Sequence, residues 1–150
     1  MRTPQWLFDW LSDRYGPFQL DAAATAKNAL CDEYYDEATD ALTHPWYDKT
    51  FCNPPFAKFG DWIAKAAHEA VERNVRSVLI APVGCSQKWY HQVAARWTVL
   101  VPDRRISFCM PDGTPTSSAD RDSIFILIGP GWDNTHQYQF RCLPVTLPAP

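Results

Sequence analysis

At 150 residues the chain is long enough for one domain with a substantial core, and 46% hydrophobic and 21% charged residues are the proportions of an ordinary globular protein. A net charge of −3 and a pI near 5.7 argue against a generally basic, nucleic-acid-coating surface, though a local basic strip remains compatible with them. Five cysteines (Cys31, Cys52, Cys85, Cys109 and Cys142), odd in number and without a Cys-x-x-Cys pair, argue against a disulfide framework or a zinc site; no signal peptide or membrane-length apolar run is expected.

Thr3 reads as a helix N-cap with Pro4 in the first helical position, opening a helix that runs to Tyr15 and buries Trp6, Leu7, Trp10 and Leu11. Gly16-Pro17 ends it, and residues 18–24 read as a short strand closing on Asp21 and the small side chains Ala22, Ala23 and Ala24. Residues 25–37 are polar and irregular, with Tyr34 and Tyr35 as packing anchors, and residues 49–52 form the next strand. A helix is expected over 58–74, where Trp62, Ile63, Ala66, Ala67, Ala70 and Val71 make one apolar stripe. Residues 75–83 hold the run Val78-Leu79-Ile80-Ala81, the pattern of a strand buried on both faces. A helix over 87–96 follows, then strands at 97–101, 106–110 and 123–128. Residues 111–122 are a polar loop expected to be mobile, and the tail over 130–150 is expected to be irregular. Strands alternating with helices imply an α/β fold: a mainly parallel sheet with flanking helices, whose ligands sit at the C-terminal ends of the strands. Asp21, Asp40 and Asn53 all fall at or just after such an end.

Phe51-Cys52-Asn53-Pro54-Pro55-Phe56 is the stretch richest in chemistry. Asn53 offers a side-chain carbonyl and Pro54 a backbone carbonyl, two acceptors on one stiff turn that grip both hydrogens of an –NH₂ group. Phe56 adds a flat apolar face for a heteroaromatic ring. An aromatic amine is a poor nucleophile because its lone pair is delocalised into the ring. Accepting both hydrogens frees that lone pair, and fixed acceptors stabilise the positive charge that develops on the attacking nitrogen. The competing structural reading is a rigid turn that merely ends a strand.

Around that corner the chain resembles the phage-type DNA N-6-adenine methyltransferases, amino-methyltransferases with an (Asp/Asn)-Pro-Pro-(Tyr/Phe) motif. The resemblance spans about residues 3–128 and rests on Thr3-Pro4, Leu20-Asp21-Ala22-Ala23-Ala24, Asp40-x-Leu42 with Trp46, and Asn53-Pro54-Pro55-Phe56, in that order. Arg105-Ile106-Ser107-Phe108 is similar to a later basic-aromatic strand. The resemblance implies a single Rossmann-like methyltransferase domain of reduced size over residues 1–150, with S-adenosylmethionine as methyl donor. It implies that Asp21 holds the donor's ammonium, that Ala22 and Ala23 leave room for it, and that Asp40 accepts from its adenine amine. Thr3 and Pro4 would close over its methionine end. Asn53, Pro54, Pro55 and Phe56 would form the catalytic corner, receiving an adenine turned out of double-stranded DNA. The implied setting is the cytoplasm of a bacterial host, for a phage or prophage product. Where larger relatives have glycines after the first acidic motif this chain has Ala24-Thr25-Ala26, and the ribose-binding acid stays open among Asp32, Glu33, Asp36 and Glu37.

Lys58, Lys88, Arg96, Arg104, Arg105 and Arg121 are candidate phosphate contacts, each weak alone since isolated surface cations mostly serve solvation, with Arg104-Arg105 beside Phe108 the best of them; Lys58, Lys88, Arg105 and Phe108 make up the expected substrate-binding set. Trp46 reads as core or pocket wall, and His44, His68, His91 and His136 show no metal-site spacing. Because the corner suits any planar amine, methylation of an RNA adenine or a protein glutamine is an alternative. A cofactor- or nucleic-acid-binding module without catalysis is another.

Overall fold

The computed structural model describes residues 2–84, 86–94, 96–108, 122–132 and 141–149. Helix α1 (Gln5–Tyr15) leads to strand β1 (Leu20–Asp21) and, after a long irregular stretch, to β2 (Thr50–Cys52). A 3₁₀ turn (Phe56–Lys58) runs into α2 (Phe59–Arg73), followed by β3 (Ser77–Pro82), α3 (Lys88–Ala94), β4 (Thr98–Pro102), β5 (Ser123–Ile128) and β6 (Arg141–Val145). The strands form one sheet in the order β1-β2-β3-β5-β4-β6. Neighbours are parallel except around β5, which runs antiparallel to both β3 and β4. Of the described strands five therefore share a direction and one is reversed, the mainly parallel α/β sheet that the alternation of elements implies.

Successive side chains of a strand point to opposite faces, and here each face is covered. Leu7, Phe8 and Leu11 of α1 pack with Phe51, Val78, Ile80, Leu100, Phe125 and Leu127 on one side. Ile63, Ala66 and Ala70 of α2, with Trp89 and Val93 of α3, pack with Leu79, Ala81, Val99 and Ile126 on the other. Helix–sheet–helix layering follows directly from that alternation.

Four sequence expectations are corrected. Pro4, not Thr3, is the N-cap of α1, with its carbonyl accepting from Leu7 and Phe8 and no side chain capping the turn. The strand expected over 18–24 pairs only at Leu20–Asp21, because the Ala23 N–H turns to the Asp21 carboxylate instead of a neighbouring strand. Residues 105–108 are not a strand. Ile106 and Phe108 are buried against the α1 face, so their alternation reports burial without ladder pairing. The tail is not wholly irregular, since β6 pairs with β4 from Arg141 to Val145. Residues 109–121, which include Arg121 and all of the expected mobile loop but Asp122, lie outside the described residues, as does His136.

Candidate active site

Beyond the C-terminal ends of β1 and β2 lies a cavity of about 740 Å³, lined by Ala22–Thr25, Asn28, a wall from Tyr35 to Leu42, the Asn53–Phe56 corner, Lys58, Trp62 and Phe108. A parallel sheet places its ligands there because the chain leaves each strand at that end in an irregular connection. A volume of this size matches that of sites for drug-sized ligands.

The first wall begins at Asp21. Ala22 N–H donates to the Phe51 carbonyl at 2.9 Å, which keeps the two strand ends together just before the chain turns away. Asp21 is only 3% exposed. Its Oδ2 accepts from the Leu30 N–H at 3.1 Å and its Oδ1 from the Ala23 N–H at 3.4 Å. Burial raises its carboxyl to about 6, with the two backbone donors acting the other way. Asp21 does not line the large cavity; it faces an adjoining recess of about 20 Å³ shared with Arg2, Thr3, Ala23, Asn28, Leu30, Phe51 and Asn53.

The second wall is the corner. Asn53 follows β2 directly, and its Nδ2 donates to Thr3 Oγ1 at 3.0 Å. Among the described residues no donor meets the Oδ1 end. Pro54 is buried, Pro55 exposed and Phe56 half-buried, its ring edge-on to Phe59 at 6.2 Å. The thiol of Cys52, fully buried beside the corner, is pushed well above its ordinary pKa by burial, so no thiolate nucleophile forms there.

The third wall is irregular but pinned. Tyr34 bridges Asp21 in parallel fashion, Tyr35 N–H donates to the Asp21 carbonyl at 2.9 Å, and Ala24 N–H donates to the Tyr35 carbonyl at 3.0 Å. Asp36 Oδ1 accepts from the Thr39 N–H and hydroxyl, which hold its carboxyl below the usual range. Asp40 sits at φ 63°, a left-handed conformation, with Oδ1 accepting from Leu42 N–H at 3.1 Å. Trp46, fully buried, donates to the Ala41 carbonyl at 2.9 Å, while Arg73 donates to the Trp46 carbonyl and ties this wall to α2.

Of the residues singled out by sequence, the large cavity gathers Ala22, Ala23, Asp40, Asn53, Pro54, Pro55, Phe56, Lys58 and Phe108. Thr3 and Asp21 stand at the neighbouring recess. Pro4 is buried at the start of α1, and Lys88 is exposed on α3; neither lines the cavity. Arg105 is likewise outside it, with Nε donating to Asp122 at 2.8 Å. The open choice of acids narrows, since Asp36 and Glu37 line the cavity whereas Asp32 and Glu33 do not. Sequence reasoning missed Asn28, Tyr35, Leu42 and Trp62 as lining residues. Trp62 belongs to the stripe of α2 that reads as core, and Tyr35 reads as a packing anchor; in fact the two are half-buried and serve both purposes.

Among the described residues no group of three His, Cys, Asp or Glu side chains is placed to hold a metal ion, and no helix is long and apolar enough to cross a membrane.

Comparison with known proteins gives a family match, DNA N-6-adenine-methyltransferase (Dam), over residues 1–140. A DNA N-6-adenine-methyltransferase of Escherichia phage T1 is 33% identical over 91 residues, 59% of this chain and 37% of that protein. YfdM of Escherichia coli (strain K12) is 36% identical over 62 residues, 37% of this chain and 68% of that protein. The chain thus spans well under half the length of the phage relative that it matches. A solved structure described as a predicted O-methyltransferase, Atu636 from Agrobacterium tumefaciens, aligns with a TM-score of 0.47 at 13% identity, over 93% of this chain and 85% of that one.

Proposed function

Since the chain belongs to the DNA N-6-adenine-methyltransferase family, we propose that it moves a methyl group from S-adenosylmethionine to the exocyclic N6 amine of an adenine turned out of double-stranded DNA. The observation that carries this reading is the Asn53-Pro54-Pro55-Phe56 corner lining one cavity with Ala22, Ala23 and Asp40, its amide oxygen bonded to no donor among the described residues.

The lining residues fit the donor. Ala22, Ala23 and Ala24 keep side chains short where a nucleoside has to pass, and Asp40 lines the same space. Asp40 would accept from the donor's adenine amine, and Asp36 or Glu37 would take its ribose hydroxyls. Asp21, ionised at neutral pH in a site that disfavours bare charge, suits the donor's ammonium directly or through a water in the recess. The bound donor supplies an electrophilic methyl group.

The rest is the work of the chain. Asn53 Oδ1 and the Pro54 carbonyl each accept one hydrogen of the target amine, pulling its nitrogen toward tetrahedral geometry and aiming its lone pair. As positive charge grows on that nitrogen, both acceptors bind it more strongly than in the ground state, which is the differential binding that accelerates a reaction. Phe56 stacks on the base, and Phe108, lining the same cavity, limits where the ring can lie. Lys58, exposed and lining the cavity, would contact the phosphate next to the target. Asn53 is not a base, so the surplus proton leaves to water at the open mouth after transfer.

The test is incubation with radiolabelled S-adenosylmethionine and, separately, unmethylated double-stranded DNA, RNA and protein. The expected product is N6-methyladenine in DNA, lost in Asn53→Ala. Label in RNA or protein alone, or cofactor binding without transfer to any acceptor, would sink the assignment.

A further inference from the structure

We propose that Thr3 is a positioning residue for the Asn53 amide: its hydroxyl oxygen claims the Nδ2 end, so that the Oδ1 end faces the target amine. The inference rests on the methyl-transfer reading and adds to it a residue that lies 50 positions from Asn53 in the chain.

The two ends of a carboxamide are nearly equal in size, so packing cannot choose between them; hydrogen bonding has to. The choice matters here more than elsewhere. Turned one way, Asn53 presents an acceptor to an –NH₂ group. Turned the other, it presents two donors to a group that itself has only hydrogens to offer, and the grip becomes a repulsion.

Thr3 Oγ1 lies 3.0 Å from Asn53 Nδ2, and Thr3 is only 5% exposed, so water does not compete for the bond. A hydroxyl both donates and accepts, and some neighbour must decide which role it takes toward Asn53. The Asp21 carboxylate shares the recess with both side chains. An ionised carboxylate there accepts only, so through its field rather than a direct bond it favours the hydroxyl hydrogen on the recess side and leaves an oxygen lone pair for Nδ2.

Both ends of the bond are held by packing. Pro4 accepts from Leu7 and Phe8 immediately after Thr3, and Leu7, Phe8 and Leu11 are buried on the sheet. Phe8 meets Phe51 edge-on with ring centroids 5.2 Å apart, two residues before Asn53. The docking of α1 therefore sets the spacing between hydroxyl and amide. This also explains why Thr3 does not cap α1.

The test compares Thr3→Val, which keeps the shape and removes the hydroxyl, with Thr3→Ser, which keeps the hydroxyl; Thr3→Ala repeats the deletion should the valine variant fold poorly. Turnover and KM are measured with radiolabelled S-adenosylmethionine and unmethylated double-stranded DNA, cofactor Kd by calorimetry, and hydrogen exchange at Asn53 Nδ2 by NMR on ¹⁵N-asparagine protein. Thr3→Val should lower kcat by about 10–100-fold, less than the loss of a direct transition-state contact, and change the cofactor Kd less than about twofold. Thr3→Ser should stay within about threefold of the parent, and only the variants lacking the hydroxyl should show accelerated exchange at Asn53. Unchanged turnover or exchange in Thr3→Val, a serine variant as impaired as the valine one, or a cofactor Kd weakening in step with kcat would overturn the proposal, the last by making Thr3 a cofactor contact. If the parent protein itself methylates no DNA, the functional reading fails, and the exchange measurement still decides whether Thr3 orients Asn53.

Discussion

The Leu30 N–H donates to Asp21 Oδ2 at 3.1 Å, closing a nine-residue excursion back onto the mouth of β1. The bond holds a carboxylate in a place where water is nearly absent, and two consequences can be measured. Burial sets the Asp21 pKa near 6 in the folded chain against an ordinary 3.8. Between those values the folded chain keeps a proton that the unfolded chain has released, so this group's contribution is complete below the lower value and disappears as pH rises through the upper. Its size is on the order of 3 kcal/mol. Urea denaturation of the parent and Asp21→Asn should therefore show the asparagine variant gaining relative stability as pH rises from 4 to 7. Cofactor affinity should run the opposite way, rising with pH in the parent and staying weak and flat in the variant.

Asp40 offers a separation of stability from function. Its left-handed backbone, φ 63°, suits glycine better than any side chain, while its Oδ1 accepts one hydrogen bond from Leu42. The two effects of Asp40→Gly nearly cancel, and the net change in unfolding free energy should lie within about 1 kcal/mol. Affinity for S-adenosylmethionine should nonetheless drop about tenfold, the worth of one hydrogen bond to a charged group. Denaturation and calorimetry on the same sample settle it, and unaltered affinity would remove Asp40 from the cofactor site.

Phe56→Ala should impair use of the target base by about 1–3 kcal/mol in kcat/KM for DNA, the usual cost of losing one aromatic stacking surface. Cofactor Kd should hardly move if the ring serves the target base, which it can reach while resting edge-on against Phe59. Equal losses in both would reassign Phe56 to the cofactor.

Gly129 and Gly131 form a matched pair for the fold. Both have positive φ, 122° and 73°, but a Cβ at Gly129 would come within 2.8 Å of Arg76 Cα and 2.9 Å of the Val75 carbonyl, whereas nothing lies within 4 Å at Gly131. Gly131→Ala should cost about 1 kcal/mol from the backbone alone, and Gly129→Ala distinctly more, about 2–4 kcal/mol. Gly129 lies where β5 leaves β3, at the opposite end of the sheet from the cavity, so cofactor affinity in the folded fraction should be unaffected by either change.

What the sequence discloses depends on whether a signal is local. The apolar stripe of α2 and the uninterrupted runs of β3 and β5 give those elements nearly to their ends, because burial alone demands the pattern. The corner is readable for the same reason: its chemistry lies in four consecutive residues. Period-two alternation misleads at Ile106 and Phe108, which are buried in the core but belong to no described strand. Pro144 hides β6, since a proline inside a short run speaks against a strand, although an edge strand tolerates it. Thr3 is the instructive case. Its local context says helix cap, and only the packing of α1 across the sheet reveals that its hydroxyl belongs to Asn53.

The family match ends at residue 140, one position before β6 begins, yet β6 supplies the whole outer neighbour of β4 from Thr98 to Pro102. A chain cut at that boundary would retain every cavity residue and expose a bare row of backbone amides along β4. Such a row invites pairing with another copy, so a fragment trimmed to the matched region should precipitate or self-associate while its chemistry stays intact, and any expression strategy needs to carry those last residues along.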